Sequence, residues 1–434
     1  MLRLKLAMRL SIALMLLFIG LASAQAAATL TLIYSGNLDG ELEPCGCSEE
    51  GNLGGIKRRA TLLDQLREAD PSVLVVSAGG LLAAEGMGDR LKSEYILKGF
   101  AMLKYDAIAL QWRDLAFGPE FLQQEKLPWV VSNWHDQGMP FSRVIQRAGQ
   151  PLAFFNWLDP KASPLRQMQG EHSVVTDSAQ ALQDGLAAAH QSGQLTLLAT
   201  TLPAEGVANL VNLDTVDILI ERAGYEVYAE PRLLGKTLVL KAGSRGMRLG
   251  RLTLALEGGR ITSWQHEVLP MPTSIADAPQ LDQWYGDYNA AVKADYLKTV
   301  ELRKAQENGQ SPFMGETVCQ ACHQEIHSTW SGSQHAIAYE DLEAVGKAFD
   351  PGCIGCHTVG FNQPGGFVDI KLTSHLMGVQ CESCHGAGRS HVESGGGKPL
   401  PNSQWTPQQK CAQCHTQQHS PAFDFGTYWP KIAH

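Results

Sequence analysis

Eight of the ten cysteines stand in four copies of one short pattern: Cys319-Gln-Ala-Cys322-His323, Cys353-Ile-Gly-Cys356-His357, Cys381-Glu-Ser-Cys384-His385 and Cys411-Ala-Gln-Cys414-His415. Two thiols separated by two residues, with an imidazole directly after the second, is the arrangement that attaches haem c. The thiols become thioethers on the haem vinyl groups, and the next histidine binds the iron. The spacing predicts four covalently bound haem c groups with His323, His357, His385 and His415 as proximal ligands. A zinc site would have no use for a histidine after every second cysteine. A thioredoxin-like pair would occur once, on a strand-to-helix turn. A disulfide framework leaves the four histidines without a role. So many haems on so short a stretch exclude an ordinary apolar core there, and the porphyrins themselves must supply it.

Covalent haem attachment calls for an export route, and the N-terminus offers one. Arg3, Lys5 and Arg9 form a basic start, Leu10 to Leu21 an apolar run, and Ala22-Ser23-Ala24 or Ala24-Gln25-Ala26 a small-residue cleavage site. Residues 1–26 read as a signal peptide, with an uncleaved anchor as the alternative, and the expected location is periplasmic or extracellular. No other stretch approaches the roughly 20 apolar residues of a membrane span. The formal charge of -9 excludes a nucleic-acid binder and suits electrostatic docking to basic extracytoplasmic redox proteins.

Texture divides the chain. Leu30 to Tyr34, Val73 to Val76, Asp106 to Leu110 and Trp129 to Val131 read as strands buried on both faces. Ile56 to Leu66 and Leu91 to Leu103 carry apolar residues at helical spacing. This alternation predicts a largely parallel sheet covered by helices. Period-two alternation around Glu257-Gly258-Gly259-Arg260 predicts an antiparallel hairpin closing the domain. Residues 273–310 read as a helical linker whose stripe Leu281, Tyr285, Tyr288 and Val292 packs on one domain. Gly309 to Gly315 reads as a hinge into the haem region.

Residues 311–434 resemble the cytochrome c-554 family of tetrahaem electron carriers. The resemblance rests on Phe313-Met-Gly-Glu-Thr-Val-Cys319, Trp330-Ser-Gly-Ser-Gln-His335, the run from Cys353 to Phe367, and Gly378-Val-Gln-Cys-Glu-Ser-Cys-His-Gly-Ala-Gly-Arg389. It implies His335, His391 and His434 as distal iron ligands. It also implies an open sixth position on the second haem, where this chain places His375 as a candidate cap. His327 and His419 stay open, as do Met314 and Met377. Bis-histidine ligation implies low-potential, reducing haems.

The first region resembles the metallophosphoesterase domain of secreted 5'-nucleotidases. The carrying segments are Ser35-Gly-Asn-Leu-Asp-Gly40, Gly54-Gly-Ile-Lys-Arg-Arg-Ala60, Ser77-Ala-Gly-Gly80, Ser132-Asn133 and Lys241-Ala-Gly-Ser-Arg-Gly246. That family binds two metal ions, yet the ligand positions read Asn37-Leu38-Asp39, Gly79-Gly80 and Gln111-Trp112-Arg113-Asp114. Without imidazoles a metal-bound hydroxide is not expected. Cys45 and Cys47 follow the first strand and form a candidate redox pair, with a structural pair or a soft-metal site as alternatives.

The expected architecture is multidomain: an α/β metallophosphoesterase-like sandwich over residues 27–272, the linker, and a mainly helical and loop tetrahaem cytochrome c domain over 311–434. Three functions compete. They are electron transfer between extracytoplasmic redox partners, reduction of a small nitrogen or sulfur species at the second haem or at Cys45 and Cys47, and ligand or partner binding on an inactive phosphatase fold.

Overall fold

A computed structural model describes residues 28–44, 52–83, 86, 88–134, 138–164, 174–222, 228–306, 309–417 and 419–434. The signal segment and the Cys45/Cys47 pair lie outside the described residues. Four parallel strands form one side of the first sheet, ending at its edge: β1 (Ala28–Ser35), β2 (Leu74–Ser77), β3 (Ala107–Ala109) and β4 (Trp129–Val130). The second sheet is built from β5 (Arg143–Arg147), β6 (Gln150–Trp157), β7 (Leu195–Thr200), β8 (Ile218–Arg222), β9 (Ala229–Leu234) and β10 (Thr237–Ala242), in the order β5-β6-β7-β8-β10-β9. The chain then returns to the first sheet as the hairpin β11 (Arg248–Glu257) and β12 (Arg260–Pro270), completing the order β12-β11-β1-β2-β3-β4.

The two sheets face one another across one apolar layer. Leu30, Leu32, Tyr34, Leu74 and Val76 from the first meet Phe154, Leu195, Leu197, Ile218 and Leu238 from the second. Because side chains alternate along a strand, Ile33 and Val75 point the other way. They are covered by helices α1 (Ile56–Ala69) and α2 (Asp89–Leu103). Helix α3 (Gln180–Gln191) covers the far face of the second sheet through Leu182 and Leu186. The result is the expected α/β sandwich, with two sheets rather than one between the helical layers. Gly250 is needed where β11 crosses Tyr34, since a Cβ there would run into the tyrosine ring.

Helix α4 (Asp282–Gln306) corrects the expectation of a linker packed on one domain. Trp284, Tyr288 and Val292 lie in the first domain's core, while Tyr296 and Val300 lie in the apolar cluster of the C-terminal region. These residues recur every four positions, and a four-residue step overshoots a 3.6-residue turn by about 40°. From Trp284 to Val300 the stripe therefore winds roughly 160° around the helix and delivers its two ends to two different cores. Trp284 Nε1 donates to Tyr95 O at 2.9 Å at one end, and the Tyr296 hydroxyl donates to Val368 O at 2.9 Å at the other. The proposed hinge is also tied down. Ser311 Oγ donates to Gly365 O at 2.6 Å, Phe313 is buried, and the Met314 and Gly315 amides donate to Glu382.

Beyond α4 the helices are short, including Glu316–Gln320, Pro351–His357, Cys381–His385 and Pro407–Cys411, each carrying part of a Cys-x-x-Cys-His motif. Apolar packing is confined to one small cluster around Phe313, Tyr339, Ile354, Val359 and Phe367. Among the described residues after Gly388, none is buried. Such a stretch does not hold its shape through its own apolar contacts, which fits a region organised around large prosthetic groups.

Candidate haem centres and the remodelled phosphoesterase cleft

Each motif's local turn sets up its chemistry. His323 N donates to Cys319 O at 3.0 Å and His415 N to Cys411 O at 3.0 Å, so one helical turn gathers the two thiols and the imidazole. All eight motif cysteines are free of disulfides. Cys319 lies against Cys381, and Cys356 against Cys414. The first and third motifs therefore adjoin, as do the second and fourth.

Tertiary structure brings a second imidazole to three of the four motif histidines. Ring centroids of His323 and His391 are 6.4 Å apart, those of His335 and His415 6.2 Å, and those of His385 and His434 5.6 Å. Two imidazoles on opposite faces of one metal, each with a metal–nitrogen bond of about 2.0–2.1 Å, hold their ring centres about 6 Å apart. The spacing of the first two pairs fits an iron held between them, whereas His385 Nε2 and His434 Nε2 stand 3.4 Å apart and would have to separate by roughly 0.6 Å to admit one. Ring orientation agrees. His391 Nδ1 donates to Lys398 O at 2.7 Å and His434 Nδ1 to Ile432 O at 2.9 Å, and a carbonyl can only accept, so in the neutral ring Nε2 is the nitrogen that offers its lone pair. Burial, followed by the nearby Lys410 charge, pushes His385 down to about 4, which keeps its ring neutral.

His357 is held differently. Its Nδ1 donates to Ala338 O, which again frees Nε2, but no ring pairing joins it to a second imidazole among the described residues. His375 sits exposed in the turn Ser374–Leu376, and its ring edge lies 3.4 Å from the point where a Cβ on Gly315 would stand, beside the first motif. His327 Nε2 faces the Glu316 carboxylate at 2.5 Å. His419 N donates to Thr416 Oγ1 at 3.2 Å.

Sequence reasoning passed over Glu382, the second residue of the third motif. Only 5% exposed, it accepts from the amides of Met314 at 2.9 Å, Gly315 at 2.9 Å and Gly388 at 2.6 Å. Gln380 adds a bond from the Glu316 amide at 2.9 Å, so two side chains stitch the first motif to the third. A carboxylate between two haem-binding cysteines reads as an ordinary surface residue until its partners are known.

In the first domain, the positions matching the phosphoesterase metal site do converge at the strand ends. Gln111 Nε2 donates to Asn37 Oδ1 at 2.7 Å, Asn37 Nδ2 to Asp39 Oδ1 at 3.1 Å, and the Arg113 guanidinium pairs with Asp39. Asp39 Oδ2 also accepts from the Arg245 amide at 3.2 Å. Gly80 leaves room for Asn37, whose side chain would be 2.6 Å from a Cβ at that position. Asp114 is wholly buried and accepts from the amides of Gly80, Leu81, Leu82 and Gln111 at 2.6–3.2 Å. A guanidinium on the half-buried Asp39 carboxylate, amide side chains elsewhere and a carboxylate spent on backbone amides do not fit a pair of divalent cations.

Fold and site together define a haem-binding region built onto a phosphoesterase-like sandwich. Residues 318–386 match the family model described as cytochrome c554 and c-prime. The cytochrome c-554 of Nitrosomonas europaea is 35% identical over 136 residues, covering 24% of this chain and 58% of that protein. The chain thus spans just over half the length of this curated relative. The relationship implies covalently bound haem c in the C-terminal region. Two solved structures, both from Thermus thermophilus, share the sandwich. The sulfate thiohydrolase SoxB in complex with glycerol superposes with a TM-score of 0.52 at 17% identity, covering 60% of each chain. A 5'-nucleotidase precursor gives a TM-score of 0.52 at 18% identity, covering 61% of this chain and 59% of that one.

Proposed function

We propose that this chain is an exported tetrahaem c-type cytochrome that carries electrons between extracytoplasmic redox partners, its first domain being a phosphoesterase fold without hydrolytic function. The observation that carries the reading is the set of three imidazole pairs, each joining one motif histidine to His391, His434 or His335 and two of them at iron-bridging separation. When bound, haem c supplies a one-electron couple that needs no proton or bond rearrangement in the protein. Chain residues do the rest. With haem bound, the eight thiols would hold the groups covalently, His323, His357, His385 and His415 would each supply one imidazole to an iron, and His391, His434 and His335 would supply a second to the first, third and fourth.

A second reading, reduction of a small nitrogen or sulfur species, is favoured by His357, whose ring pairs with no second imidazole among the described residues and whose candidate cap His375 stands beside Gly315 instead. The place of Cys45 and Cys47 in such a reaction lies outside the described residues.

Intact mass and pyridine haemochrome titration of the exported protein should report four haems per chain. Electron paramagnetic resonance of the oxidised protein should show one high-spin ferric signal beside low-spin signals, unaltered in His375→Ala and abolished by nitric oxide as the probe, because the ferric nitrosyl has an even electron count. Fewer haems would overturn the tetrahaem reading, and an all-low-spin spectrum would overturn the open second site. Loading with Mn2+ or Mg2+ should yield no nucleotide hydrolysis; turnover abolished by Asp39→Ala would restore the phosphatase.

A further inference from the structure

The two domains meet at a buried lysine. Lys347, whose side chain is 12% exposed, lies between the second haem's helix and the first domain. Its Nζ contacts Glu43 Oε1 at 2.5 Å and Asn289 Oδ1 at 2.9 Å, and sits over the rings of Tyr285 and Tyr288 at 5.2 and 5.6 Å. Burial works to lower its pKa, but the Glu43 carboxylate outweighs it and holds the ammonium charged. The same Nζ is 3.9 Å from Asp350, whose carboxylate caps the helix Pro351–His357 by accepting from Gly352 N at 3.0 Å. That helix carries Cys353, Cys356 and His357. Lys347 thus joins the start of the second haem's attachment helix, through Asp350, to a carboxylate of the first domain.

Glu43 is equally well placed on its side. It ends a loop that leaves β1 at the cleft and alternates three acids, each tied to a different element. Asp39 pairs with Arg113 after β3, Glu41 with Arg245 before β11 at 3.5 Å, and Glu43 with Lys347. The Tyr285 hydroxyl on α4 also donates to Glu43. Backbone bonds hold the loop in register, with Leu38 N and Asp39 N donating to Gly80 O at 3.0 Å and Ile56 N to Leu42 O at 3.0 Å. A displacement at the cleft therefore reaches Glu43 through a short, ordered stretch of chain.

We propose that the phosphoesterase-like domain sets the reduction potential of the second haem through the Glu43–Lys347 ion pair. The proposal rests on the reading that haem is attached at Cys353 and Cys356. In the low-dielectric junction an uncompensated charge acts over a long range, whereas a compensated pair presents only a dipole. With Glu43 in place the lysine is flanked by two carboxylates, Glu43 in close contact and Asp350 at 3.9 Å. When Glu43 is lost or moved, only the longer contact remains, the net charge beside the attachment helix rises by one, and the reduced state is favoured, because reduction lowers the charge at the iron by one. When Lys347 is lost, the carboxylate remains and favours the oxidised state. Glu43 and Lys347 are positioning and charge-setting residues; neither touches the reacting atoms.

The test is a spectroelectrochemical titration of the full-length holoprotein in wild type, Glu43→Gln, Lys347→Met and the double variant, with the second haem identified by its high-spin signal and haem count checked in each. Glu43→Gln should raise the equilibrium constant for reducing the second haem severalfold, a tenfold change being about 59 mV for a one-electron step. Lys347→Met should lower it by a similar factor, and the double variant should return near the wild-type value. Lys347→Arg, which keeps the charge, should leave the potential close to wild type, and together with Glu43→Gln it decides the matter if Lys347→Met does not fold. Shifts of the same sign in both single variants, or equal shifts in every haem, would show mere structural loosening and overturn the proposal. Unchanged potentials with four haems present would also overturn it, whereas a missing haem would overturn the tetrahaem reading instead.

Discussion

Replacing Asp114 by alanine lowers the stability of the first domain by an expected 3–5 kcal/mol or so, because four backbone amides lose a buried acceptor at once. Both carboxylate oxygens are used. Oδ1 accepts from Leu81 at 2.6 Å and Leu82 at 3.2 Å, and Oδ2 from Gly80 at 2.8 Å and Gln111 at 3.0 Å. Desolvation favours protonation and the four amides oppose it. An asparagine keeps the shape but turns an amide donor toward amide donors, so Asp114→Asn should cost nearly as much as alanine. Scanning calorimetry should show the first-domain transition falling by about 10 °C in either variant. A loss below about 1 kcal/mol, the size of one ordinary hydrogen bond, would mean that the loop 80–82 is held by something else.

The second large effect belongs to Glu382. Alanine there leaves the Met314, Gly315 and Gly388 amides without their shared acceptor, and the expected cost is about 3–4 kcal/mol. The consequence is local, since these amides flank the first and third motifs and the second motif is anchored elsewhere through Asp350 and the Ala338 carbonyl. Guanidinium unfolding of the holoprotein, followed in the Soret band, should show an earlier transition. Low-spin signals of the first and third haems should broaden while the high-spin signal keeps its shape. Glu382→Gln, which retains one acceptor oxygen, should recover part of the loss. Equal perturbation of all the haems would show that the carboxylate does not act specifically at that junction.

Sequence legibility followed how local the determining interaction is. The motif cysteines and histidines are readable because two thiols and an imidazole gathered within one helical turn form a purely local pattern. The strands β1 to β4 and helices α1 and α2 are readable because burial on one or two faces imposes a short period. The departure from a metal-binding phosphoesterase is readable too, since replacing imidazole by Leu38, Asp39, Trp112 or Arg113 removes donors whatever the packing.

Everything that depends on two distant segments meeting was decided by tertiary structure. The stripe on α4 announced burial, but not that its winding would carry Trp284 into one core and Val300 into another. Glu43, Lys347, Asp114 and Glu382 look like surface charges in sequence, because the groups that use them lie 304, 33 and 68 residues away. The sequence by itself determined where paired thiols are followed by an imidazole and which donor types stand in the first domain's cleft, both being properties of atoms in fixed local patterns. Tertiary structure decided which imidazoles face one another, which of the four motif histidines pairs with none among the described residues, and which charges are buried, because distance and desolvation exist only once the chain has folded.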